Sequence, residues 1–99
     1  MGLFAQVAHQ EGLAIAQKNS AEVVSRRAEL FTDFAIVEEC NRYEECDVFT
    51  REYGGQVYIV EYRRRDFTQG CRDYPQLSII YRDLDLVPAG ASSYHYEGC

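Results

Sequence analysis

Ninety-nine residues with 16 acidic and 10 basic side chains, a net charge of −6, make one small domain, well under half of the roughly 250 residues that a closed eight-stranded α/β barrel needs. Hydrophobic residues at 46% and charged residues at 26% lie near the globular average, which excludes a wholly disordered chain and a collagen-like repeat. The acidic balance argues against a nucleic-acid binder built on phosphate contacts and suits neutral or cationic ligands.

No apolar run approaches the roughly 20 residues that cross a bilayer, so a soluble chain with no membrane partner is expected. The apolar stretch at residues 1–9 has no preceding Lys or Arg. It reads as a helix ending over residues 5–10, with Gly12 as its left-handed stop, and not as a signal peptide. Residues 13–17 (LAIAQ) read as a first strand that ends at the polar Lys18 and Asn19. Ser20 is placed to cap a helix in which Val24, Ala28 and Phe31 share a face. Residues 34–37 (FAIV), 57–60 (VYIV) and 77–81 (LSIIY) are three further short, apolar, β-branched-rich runs of the kind buried in parallel sheets.

Strand starts at 13, 34, 57 and 77 are 21, 23 and 20 residues apart, each enough for a parallel crossover. Four such βα units amount to half of a (β/α)8 TIM barrel, so the expected fold class is α/β, with residues 1–99 forming a partial barrel domain. A half-barrel leaves two sheet edges unpaired. That is costly, so either a homodimer closes them or the chain is the C-terminal part of something longer.

Four cysteines in so short a chain point to disulfides and an oxidising compartment. Cys40 and Cys46 are too far apart for a zinc knuckle, and no His lies close enough to complete a ligand set, so a small disulfide loop is expected and no metal or cofactor. Cys71 and Cys99 pair by elimination, although four cysteines allow three connectivities. His9 and His95 default to surface residues, and Arg63, Arg64 and Arg65 to a solvated loop. Tyr43, Tyr62 and Tyr74 sit in expected loops, where their rings offer stacking faces for a sugar.

In parallel α/β proteins the chemistry lies at the C-terminal ends of the strands. Here those ends are Lys18-Asn19, Glu38-Glu39-Cys40, Glu61-Tyr62 and Arg82-Asp83. Carboxylates, an amide and a lysine on one rim suit a polyhydroxylated substrate, although any βα loop must turn polar somewhere. Glu38 directly follows an apolar strand, which puts a carboxyl at a dry mouth suited to a general acid, with a surface Glu in an acidic turn beside Glu39 as the alternative. Glu61 has the same placement, with a salt bridge to Arg63 or Arg64 as the alternative. Lys18 and Asn19 either donate to sugar hydroxyls or simply lead into the Ser20 cap.

Several of these segments resemble one family in order and spacing. Residues 12–19 (GLAIAQKN) resemble the GLSVGLKN strand of the endo-α-1,4-polygalactosaminidases, glycoside hydrolase family 114. Residues 34–40 (FAIVEEC) are similar to its FALNEQC strand, residues 43–46 (YEEC) to its YDEC turn, residues 60–62 (VEY) to its VEY strand end, and residues 78–83 (SIIYRD) to its last strand. The resemblance implies a secreted (β/α)8 barrel that hydrolyses α-1,4-linked galactosamine polymers with a carboxylate pair, and the acidic charge agrees with such a cationic substrate. It places Glu38 at the position of the catalytic Glu; in a hydrolase domain of this kind the strand-end residues Lys18, Asn19, Glu61 and Tyr62 are expected to line the sugar site. The partner Asp belongs to an earlier strand that this chain does not contain, so the isolated chain is expected not to hydrolyse. Val37 stands where the family carries Asn, removing a hydrogen bond that a sugar hydroxyl could accept or donate. The alternatives are a non-catalytic carbohydrate-binding or interaction module that uses the same rim, and a truncated remnant.

Overall fold

The structure is a computed structural model that describes residues 2–14, 16–19 and 32–99; the helix expected after Ser20 lies outside them. Helix α1 (Gly2–Gln10) ends where the Leu13 N–H donates to the Ala8 carbonyl. The reversal passes through Gly12 at φ 75°, a conformation that glycine adopts without a Cβ penalty. Strand β1 (Ala16–Lys18) follows, three residues later than the apolar run begins. Pairing with the next strand starts only at Ala16, opposite Phe34, while Leu13 stands largely in solvent.

Strand β2 (Phe34–Glu38), helix α2 (Cys46–Tyr53), strand β3 (Val57–Glu61), helix α3 (Arg64–Asp73) and strand β4 (Ser78–Arg82) complete the repeating units. Strands β1 to β4 are parallel and adjacent in sequence order. Parallel neighbours in sequence order are the arrangement of a barrel wall.

Helices α2 and α3 cover one face of this sheet. Ala35, Val37, Val57, Ile59 and Ile79 point toward them and are buried, together with Phe49, Tyr53 and Phe67 from the helices. Tyr53 donates from its hydroxyl to Oε1 of the buried Gln17 at 2.7 Å and shares a 2.5 Å hydrogen bond with Thr32. This satisfies polar groups that would otherwise be costly to bury and ties α2 to β1. Arg63 to Arg65 open α3 and are not a solvated loop. Arg63 Nε lies 2.5 Å from Asp66 in the first turn, where an acid complements the helix dipole.

On the opposite face, Phe34, Ile36, Tyr58, Val60, Ser78 and Ile80 line an open, mostly apolar groove of about 450 Å³. In a closed barrel the corresponding side chains fill the interior. An apolar sheet face that none of the described helices covers is therefore what a partial barrel should present.

One edge differs from expectation. Strand β5 (Tyr96–Gly98) runs antiparallel along β4, with Ile80 opposite Gly98 and Arg82 opposite Tyr96, so the β4 edge is not free and the expected homodimer cannot use it as it stands. Cys71–Cys99 bonds the end of β5 to α3, and Cys40–Cys46 closes the loop between β2 and α2. Both pairings are those expected. Glu97 adds a two-pronged ion pair with Arg64, whose guanidinium lies 5.0 Å from the Tyr81 ring centroid.

Candidate active site

The site lies where β1, β2 and β3 end, on the open face. Side chains alternate along a strand. With Ala35 and Val37 turned toward the helices, Glu38 turns the other way, and the register places Lys18 beside Ile36 and Glu38 beside Val60. Lys18 Nζ approaches Glu38 Oε1 to 3.5 Å, and Glu38 is about one-third exposed. Just past β3, Tyr62 lies close enough to Glu38 for that carboxylate to act on its phenol. Burial, followed by the Glu38 carboxylate beside it, pushes the Tyr62 phenol up to about 12, so it remains a donor throughout the physiological range.

The backbone beneath Glu38 is fixed from both sides. Its N–H donates to Asn19 Oδ1 at 2.8 Å, the Asn19 N–H donates to the Ile36 carbonyl at 3.0 Å, and Gln17 Nε2 donates to the Asn19 carbonyl at 2.8 Å. Asn19 has φ 56°, a left-handed conformation that Asn tolerates better than most residues. It acts as a staple between β1 and β2, with its amide oxygen committed to the protein. Just past Glu38, Glu39 also turns left-handed at φ 60°, while its N–H extends the ladder to the Val60 carbonyl at 2.8 Å.

Of the expected site residues, the structure brings Lys18, Glu38 and Tyr62 together, with Asn19 behind them. It does not bring Glu61. One residue before Tyr62, Glu61 faces the helices and is 0% exposed, out of a rim-bound sugar's reach. Neither Arg63 nor Arg64 pairs with it; its Oε2 accepts both the backbone N–H and the Nδ2–H of Asn41, each at 2.9 Å. Val37 is also turned to the helices and 2% exposed, so Val in place of Asn removes no contact at the rim in this chain. Tyr43 is well exposed, with Arg42 over its ring, whereas Tyr74 packs against the core. A carboxyl oxygen of Glu61 and the sulfurs of Cys40 and Cys46 lie within 4.8 Å of one another, but the sulfurs are bonded to each other and offer no thiolates.

Arg82 and Asp83, in the sequence only the polar end of the fourth strand, have partners that their position alone does not show. Arg82 donates to the His95 and Val87 carbonyls at 3.0 Å each and lies 5.0 Å from the Tyr94 ring centroid. Asp83 accepts from the Val87 N–H at 2.8 Å and the His95 N–H at 3.3 Å, which lowers its pKa. Together they shape the loop leading into β5. Only the strand-end position of Arg82-Asp83 hinted at this.

Glu61 makes stability depend on pH. Burial, chiefly, pushes its carboxyl above the ordinary carboxylate value of 4.5; the Asn41 donors pull it down, and the charges of Asp66 and Glu39 raise it further. A folded-state pKa above the unfolded one means that the folded chain holds the proton more tightly. This contribution is complete below about pH 4.5 and is lost as pH rises through the raised pKa. Urea midpoints measured upward from pH 4.5 should therefore fall with pH in the native chain, and Glu61→Gln should flatten that fall. Asp66, Asp83 and Glu97 have lowered pKa values and act in the opposite sense in more acidic solution, losing stability as pH falls.

The same architecture occurs in a known protein. The chain superposes on the crystal structure of Aspergillus fumigatus Ega3 in complex with galactosamine with a TM-score of 0.72, at 18% sequence identity, over 96% of this chain and 41% of that one. The chain thus spans less than half the length of that relative, consistent with part of a barrel. A search of curated proteins finds no match. The model of glycoside-hydrolase family GH114 matches residues 1–99, and with the partial parallel barrel and its strand-end Glu38 this chain belongs to that family.

Proposed function

We propose that residues 1–99 form a partial GH114 barrel domain that carries the Glu38 half of a glycoside-cleaving carboxylate pair and binds an extracellular, cationic amino-sugar polymer, α-1,4-linked galactosamine. The observation that carries this reading is the placement of Glu38 at a strand mouth on the open face, between the Lys18 ammonium and the Tyr62 hydroxyl. Glu38 is the proton-transferring carboxyl. Tyr62 orients it, and Lys18 neutralises it until a sugar ammonium or hydroxyl takes that place. The net charge of −6 favours approach of a polycation, and the two disulfides suit an oxidising, extracellular setting. Ega3 was crystallised with galactosamine, the monomer of the proposed polymer.

Glycoside cleavage normally takes two carboxyl groups flanking the bond. Near Glu38, Glu39 is paired with Arg42 at 2.9 Å and Asp83 is committed to its loop. The chain is therefore expected to bind without turnover. Titration calorimetry with a galactosamine oligomer should show saturable binding that Lys18→Ala and Tyr62→Phe alter, with no reducing ends released. Absence of binding, or turnover by the 99 residues alone, would refute the reading.

A further inference from the structure

We infer that Glu61 is a positioning residue: a buried acid that fixes the loop after β2 and so holds Glu38 and Tyr62 in place at the rim. The inference deepens the proposed function and rests on Glu38 being its reacting group.

Glu61 and Tyr62 are consecutive and point to opposite faces, so the seat of one sets the aim of the other. Glu61 Oε2 receives both donors of Asn41 at 2.9 Å, one of them a backbone N–H that would otherwise be orphaned beneath the loop. Asn41 follows closely after Glu39, whose left-handed turn ends β2 immediately beyond Glu38. A left-handed Glu needs support from its surroundings to persist. The Glu61–Asn41 pair and the Cys40–Cys46 bridge supply it from the helix side.

Helix α3 is shaped around the same amide. A Cβ at Gly70 would overlap Asn41 Nδ2 and come within 3.0 Å of Asn41 Cγ and 3.2 Å of Ile79 Cδ1, so glycine there leaves room for Asn41 and nothing larger. Among the described residues Glu61 Oε1 is buried without a hydrogen-bond partner. A buried carboxyl with an orphaned oxygen is costly, and an apolar side chain would fill the space without that cost. What only an acceptor provides is the hold on Asn41. Asp66 of α3 and Glu39 of the loop are the charged groups acting on Glu61, both disfavouring its ionised form.

The test compares the native 99-residue chain with Glu61→Gln, Glu61→Ala and Gly70→Ala, reading the carbon NMR signal of the Glu38 carboxyl, the ring signals of Tyr62, thermal unfolding, and affinity for a galactosamine oligomer. Glu61→Gln keeps an oxygen for both Asn41 donors and should retain native Glu38 and Tyr62 signals. Glu61→Ala, and Gly70→Ala, which leaves all of β3 intact, should move both signals and weaken affinity about tenfold while the chain still unfolds cooperatively. Native Glu38 and Tyr62 signals in a folded Glu61→Ala or Gly70→Ala chain would overturn the inference. So would unfolding of both variants, since the pair would then hold the domain and not the rim. If the native chain binds no oligomer, the proposed function fails, whereas the NMR comparison still decides the role of Glu61.

Discussion

A chain with Cys71 and Cys99 both replaced by alanine is expected to unfold with about 3–4 kcal/mol less stability than the native chain, by the loop-entropy estimate for a long closed loop. The two cysteines are 28 residues apart in sequence, against 6 for Cys40 and Cys46, whose removal by the same estimate costs only about 2 kcal/mol. The longer bridge is also the firmest attachment of β5. All three residues of β5 are exposed and bury little apolar surface against the sheet. The Arg64–Glu97 pair is open to solvent on both sides, where ion pairs contribute little.

Releasing β5 should uncover the edge of β4, a row of unpaired backbone groups able to recruit another chain. The double variant should therefore self-associate by light scattering at concentrations where the native chain does not, besides unfolding at lower urea. A loss of less than about 1 kcal/mol, within the spread of ordinary single substitutions, with no change in association, would show that the β4 hydrogen bonds hold β5 unaided.

How much of this was legible in the sequence depends on which forces fix each element. Strands β2, β3 and β4 are legible to within a residue at either end because they are short β-branched runs buried in a parallel sheet, and their spacing reveals the crossovers. Strand β1 was read three residues early because apolar character continues back to Leu13, while the strand is defined by where β2 is available to pair. Strand β5 leaves no signal in the sequence. Tyr96, Glu97 and Gly98 carry no apolar pattern, and their conformation comes from β4 and from a covalent bond to a distant helix.

The site divides in the same way. Strand ends were legible, so Lys18, Glu38 and Tyr62 could be named. Facing was not, because residues 57–60 (VYIV) are apolar at every position and give no parity. Only the pairing of Val57 with Ala35 shows that Ile59 and Glu61 face the helices while Tyr58, Val60 and Tyr62 face the groove. Asn19, open in the sequence between donating to a sugar hydroxyl and leading into a cap, has its amide oxygen held by the Glu38 N–H, a bond between strands that no local pattern announces. Asn41 and Gly70, which seat Glu61, are unremarkable in the sequence because their partners are 20 residues away or on another element.

In a polypeptide that supplies the remaining barrel strands and the second carboxyl group, Glu38→Gln is expected to lower kcat for hydrolysis of an α-1,4-galactosamine polymer by about 10²–10⁴-fold, the usual worth of a positioned general acid or base. The amide has nearly the shape of the acid, keeps an acceptor oxygen beside Tyr62, and lacks only the ability to hold and release a proton on the reaction path. KM should accordingly change by no more than a few-fold, since an interaction lost mainly in the transition state falls on kcat. Lys18→Met removes the ammonium 3.5 Å from Glu38 and should act differently. It leaves a reacting carboxyl in place, so some turnover survives. Measured release of reducing ends separates the two. If the Glu38→Gln enzyme keeps more than about a tenth of its activity, which is far above what loss of a proton-transferring group permits, Glu38 is not the reacting group, and the lysine and tyrosine around it form a binding site alone.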